Sequence, residues 1–120
     1  MKTELQIKRI YEEASPEDGY RILVDRIWPR GVSKEKAQLD EWDKEIAPTT
    51  ELRKWYNHEI EKWPDFKIKF TEELLNNPNF KSFISTVKSH QKVSLIYAAK
   101  DGNLSNAQVI LEILQNRLED

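Results

Sequence analysis

The chain contains no cysteine, which excludes disulfides, thiolate nucleophiles and Cys-ligated metals. Glycine is almost as scarce, with three in 120 residues, so neither a Walker A loop nor a dinucleotide fingerprint can be written. The two histidines, His58 and His90, show no HxxxH or HxH spacing, so no metal site is expected from them and no cofactor is implied. No apolar run approaches membrane-spanning length, and Met1 to Gln6 lacks the apolar core of a secretion signal. The expectation is a cytoplasmic protein with no membrane partner. Charge of one sign is not in excess either. The net charge is −2 and the pI about 5.8, whereas a protein that neutralises nucleic-acid phosphates normally carries a strong basic excess. With no turn-helix pair bearing basic recognition residues, a DNA-binding regulator is the weakest reading.

What is present is a globular mixture, 38% hydrophobic and 33% charged, of a length suited to one core. No repeat or linker divides it, so residues 1–120 read as a single domain. Leu5 to Ile10 alternates in the manner of a strand, and Ser15-Pro16-Glu17-Asp18-Gly19 carries turn chemistry. Tyr20 to Asp25 predicts a second strand, with Ile22, Leu23 and Val24 consecutive as in a strand covered on both faces. Trp28-Pro29-Arg30-Gly31 predicts a loop. Ser33 is placed to cap a short helix, and Leu39, Trp42 and Ile46 continue at helical spacing until Ala47-Pro48. Thr49 or Thr50 can cap a helix over 51–58, followed by stripes at Trp63, Phe66, Phe70 and Leu74 and at Phe80, Phe83, Ile84 and Val87. Those stripes read as core rather than as a cofactor box. Val93 to Ala99 is the clearest strand, and Ala107, Ile110, Leu111, Leu114 and Leu118 share a face of a last helix over 104–118. The fold class is α/β: a small, at least partly parallel sheet of three to four strands flanked by helices.

In open α/β sheets, ligands sit beyond the carboxyl ends of the strands. If strands 20–25 and 93–99 are parallel neighbours, Asp25 to Gly31 and Tyr97 to Gly102 meet on one edge. That edge holds Arg26, Arg30 and Lys100, with Asp25, Asp101, Trp28 and Tyr97 close by, and the last helix begins beyond it near Ser105 and Asn106. Arginine forks and a lysine point charge suit carboxylate or phosphate, and a helix start favours an anion. Arg53 joins them if its helix folds over the same edge, and His58 ends that helix. The expected partner is a small anionic metabolite, and no oligomeric state is read from the sequence. Each residue has a plainer role open to it. Asp25 and Arg26 can pair with each other, Arg30 can stack on Trp28, Lys100 and Asp101 suit a turn, Ser105 and Asn106 suit helix caps, and His90 suits a solvated turn. The main alternative function is a non-catalytic interaction or regulatory module using exposed aromatics as anchors.

The stretch Leu23-Val24-Asp25-Arg26-Ile27-Trp28-Pro29-Arg30-Gly31-Val32, preceded by Ser15 to Arg21, resembles the YeaO-like branch of a large bacterial domain-of-unknown-function family, family 488. So do Ala47 to His58, Phe70 to Leu74 and Leu95 to Asp101, and the likeness covers nearly the whole chain. The resemblance implies a compact α/β domain and supplies no established reaction. Relatives in the wider family often carry a Cys beside the third strand, and this chain has none. Many close relatives have an Asn-His pair ahead of the Ala matching Ala107, where this chain has Ser105-Asn106. If that His is a general base, it is missing here, which favours binding over proton transfer or leaves the role to His58.

Overall fold

The computed structural model describes residues 3–117. Along the chain run β1 (Glu4–Arg9), β2 (Tyr20–Leu23), α1 (Lys34–Ala37), β3 (Glu41–Trp42), α2 (Thr50–Tyr56), α3 (Trp63–Leu75), α4 (Pro78–Lys88), β4 (Lys92–Tyr97) and α5 (Asn106–Arg117), with short 3₁₀ turns between several of them. The four strands form one sheet in the order β1-β4-β2-β3, and every pairing is parallel. Strands 2 and 4 are parallel neighbours, with Ile22 opposite Leu95 and Leu23 opposite Ile96. A parallel sheet is covered on both faces, which is why these two strands read as unbroken apolar runs.

Successive side chains divide between the faces. Ile22, Val24, Val93, Leu95 and Tyr97 join Phe66, Phe70 and Leu74 of α3, Phe80, Phe83 and Val87 of α4, and Ala107, Ile110 and Leu114 of α5 in the main core. Leu23 and Ile96 turn to the other face, where Ile10 and Ala37 of α1 close over them with Trp28, Val32 and Leu39. Full burial of each large aliphatic or aromatic side chain contributes about 1.5–3 kcal/mol, so the aromatic stripes on α3 and α4 are structural. Local chemistry fixes the helix starts: the side chains of Ser33, Thr49 and Asn77 accept backbone N–H groups of the following turns, and Pro64 and Pro78 occupy first-turn positions.

The second face also buries charge. Arg21 is 3% exposed; its guanidinium donates to Asp18 at 2.6 Å, to the Ala37 carbonyl at 2.7 Å and to Gln38 O at 3.1 Å. The arginine thereby satisfies carbonyls at the end of α1 and ties that helix to β2. Lys8 pairs with Asp18 at 2.9 Å. Burial alone would raise the Asp18 carboxyl, but the Ser15 N–H, Lys8 and Arg21 outweigh it and hold the group below its ordinary value.

Residues 39–46 differ from the sequence expectation. They form a two-residue edge strand and a 3₁₀ turn (Lys44–Ile46), not a helix. Leu39 packs with the second-face cluster, Trp42 lies in the edge strand, and Ile46 enters the main core, so three residues at helical spacing serve three different places. The last helix starts at Asn106 after a 3₁₀ turn over Gly102–Leu104, and the expected position of Leu118 lies outside the described residues. His90 is half-buried, its ring stacked on Tyr20 at 3.7 Å, where a solvated turn residue was expected. No helix among the described residues is long and apolar enough to cross a membrane.

Candidate functional site

The topology opens a crevice at one sheet edge. After β2 the chain departs to the face covered by α1, and after β4 it departs to the face covered by α5. Adjacent parallel strands whose continuations part in this way leave space beyond their carboxyl ends. The last backbone bond between them is Val24 N–H to Ile96 O, at 3.0 Å. Beyond it lies a cleft of about 830 Å³ lined by the continuations of β1, β2 and β4, by α2 and the turn after it, and by the approach to α5.

Asp25, Arg26, Trp28, Arg30, Arg53, His58, Lys100, Asp101, Ser105 and Asn106 all line this cleft. Tyr97 does not. It is the last residue of β4, points into the main core and is 6% exposed. The period of two along a strand sends its ring to the core face, while the residues after it, free of the ladder, reach the cleft. The structure adds residues that sequence reasoning missed: Arg9 at the end of β1 and Tyr11 beyond it, Pro48 and Ile60 around α2, Phe66 of α3, and Leu104. Arg9 and Tyr11 reach the cleft because β1 runs parallel beside β4.

Asp25 stands at the centre of the polar wall. Its carboxylate accepts the Ala98 N–H at 2.9 Å, bridging the crevice between the two strand continuations. Burial pushes the Asp25 carboxyl above its ordinary value; the Ala98 N–H, the Asn106 side chain and the nearby His58 pull it down without cancelling that effect. Asn106 itself donates to Val24 O at 2.9 Å. Ser105 is 2% exposed, donates to Gly102 O at 2.7 Å and accepts the Gln108 N–H, so it caps α5. Asp101 caps the preceding turn through the Asn103 N–H at 3.0 Å.

Arg26 does not pair with Asp25. Its guanidinium donates to Pro48 O and Ala47 O, both at 3.1 Å, and so holds the segment leading into α2 against the strand end. Arg9 similarly donates to Ala98 O and Ala99 O and lies 4.6 Å over the Tyr11 ring. Trp28 packs edge-on against Trp42 and donates to Val32 O; Arg30 is exposed instead of stacked on it. Arg30, Arg53 and Lys100 make no side-chain hydrogen bond or carboxylate pair among the described residues. The wall thus carries five cationic side chains (Arg9, Arg26, Arg30, Arg53 and Lys100) against two carboxylates, Asp25 and Asp101.

α2 delivers Arg53 and His58 by an unusual exit. Asn57 and His58 both have left-handed backbone, with φ of 46° and 55°. Asn is a common helix-terminating residue in that conformation, and His is a less frequent one. The Tyr56 ring beneath them stacks on Phe66 at 4.3 Å, and its hydroxyl donates to Leu104 O at 3.1 Å. The cleft floor is therefore aromatic and tied to the approach to α5.

Comparison with known proteins places this arrangement in a family. The chain is 40% identical to the uncharacterised protein YeaO of Escherichia coli (strain K12), over 93% of its own length and 97% of that protein. It is 34% identical to the uncharacterised protein Mb3100c of Mycobacterium bovis, over 97% of its own length and 98% of that protein, and equally to Rv3073c of Mycobacterium tuberculosis. No solved structure matches it. Residues 4–120 match the family model described as the inactive DUF488-N3 subclade, and the chain belongs to that family, within its YeaO-like branch.

Proposed function

We propose that this protein binds a small anionic metabolite at the carboxyl ends of β2 and β4 and does so without turnover. The observation that carries the reading is the uncompensated charge of the cleft. Arg30, Arg53 and Lys100 border an 830 Å³ space and have no carboxylate partner among the described residues. All three side chains are exposed and free to reorient, and an incoming carboxylate or phosphate supplies the missing partner through charge-assisted bonds. Arg9 and Arg26, already engaged by backbone carbonyls, shape the wall and add to its potential. Binding without chemistry is supported by the family's description as an inactive subclade. It is also supported by Ser105 and Asn106 at the entry to α5, whose side chains are engaged by Gly102 O, the Gln108 N–H and Val24 O.

The test uses Arg30→Ala/Arg53→Ala, which spares the structural bonds of Arg26. Wild type and double variant are titrated at low salt with inorganic phosphate, pyrophosphate, phenyl phosphate and adenosine 5′-monophosphate, followed by thermal shift and amide NMR. Stabilisation of wild type is expected, with shifts centred on residues 25–30 and 98–101, and at least about a tenfold loss of affinity in the double variant. A folded double variant that responds like wild type, or no response of wild type to any of the four, overturns the reading.

A further inference from the structure

The cleft is too large and too apolar for a bare anion. A space of about 830 Å³ falls in the range that encloses a whole organic molecule, whereas phosphate or acetate would leave most of it to water. Its floor is the stacked pair Tyr56 and Phe66. At its wall stand two isoleucines with no core role: Ile27 is 56% exposed and Ile60 is 67% exposed. Single exposed apolar residues need no explanation, but Ile27 and Ile60 both line the cationic cleft that Tyr56 and Phe66 also line, so its lining combines free cations with exposed carbon.

Resting on the anion-binding reading above, we infer that the ligand is an amphiphilic anion: a phosphate or carboxylate head carried on an apolar body about the size of an aromatic ring. The head takes the forks of Arg30 and Arg53, and the body covers Ile27 and Ile60 and meets the Tyr56–Phe66 floor. Charge complementarity fixes the orientation: the head faces the free cations of the lining and the body faces its carbon surface. The apolar body then supplies affinity that a bare head group cannot.

Matched ligands separate this inference from the reading it rests on. Phenyl phosphate and inorganic phosphate present similar heads, so the ratio of their dissociation constants reports the body alone. Phenyl phosphate is expected to bind at least about tenfold more tightly, which needs only about 55 Å² of apolar surface removed from water at ~25 cal/mol per Å². In Ile27→Ser/Ile60→Ser, whose altered side chains lie outside the core, the ratio should fall toward unity while the constant for inorganic phosphate stays within about twofold. Equal binding of the two ligands by wild type, or a ratio unchanged in the folded serine variant, overturns the amphiphilic ligand and leaves the anion site standing. Failure of both ligands, of pyrophosphate and of adenosine 5′-monophosphate removes the two together.

Discussion

Asp25 offers the sharpest test of how the cleft is built, because its two simplest replacements separate the cost of its buried charge from the worth of its hydrogen bond. Burial raises its carboxyl above the value it has in an unfolded chain. Between those two values the folded state holds the proton more tightly, so stability falls as pH rises through this window, and the ionised carboxylate remains a net burden above it. Asp25→Asn removes the charge while its amide oxygen can still accept the Ala98 N–H now bonded at 2.9 Å. The variant should therefore be more stable than wild type at neutral pH, with the difference vanishing below about pH 3.8, the ordinary carboxyl value. Asp25→Ala also removes the charge but leaves that N–H without its partner, a loss of about 1–3 kcal/mol. Urea unfolding of the three proteins between pH 3 and 8 reads both effects. An Asn variant no more stable than wild type at pH 7, or one whose advantage does not grow with pH, would refute the claim that desolvation dominates at this carboxyl.

Two further outcomes follow from the second face and from the turns. Asp18→Asn leaves the buried Arg21 charge without its carboxylate and should cost about 3–5 kcal/mol in denaturant unfolding. Because the Asp18 carboxyl is lowered in the fold, its contribution in wild type is present above about pH 3.8 and is lost as pH falls toward the folded value. Gln38 ends α1 with φ of 45°, a conformation that costs a side-chain-bearing residue; Gln38→Gly should raise stability by about 0.5–1 kcal/mol, and a drop in the urea midpoint would contradict this.

Much of the fold could be read from residue order because its signals were local and mutually consistent. Thr49, one of two adjacent threonines placed to cap a helix, does cap it, and the apolar run Ile22 to Val24 announced a strand with no solvent face. Residues 39–46 failed for a physical reason: Leu39, Trp42 and Ile46 share a helical period by coincidence, and long-range packing draws them to separate places. At the cleft, the segments following two strands were identifiable because open parallel sheets use that edge for ligands. Tyr97 was placed there too, although a residue still inside the ladder is bound by its alternation. Arg9, Ile60 and Phe66 were not legible, since they reach the cleft only through the pairing of β1 with β4 and the packing of α2 and α3, and no local pattern encodes either.

The walls of the cleft come from stretches as far apart in the chain as residues 9–11, 25–30, 48–66 and 98–106. None of these four stretches holds even half of the lining, so occupancy is coupled to the whole molecule and not to any one loop. A ligand would accordingly slow hydrogen exchange across the entire sheet as one unit, by the mass-action increment its concentration allows.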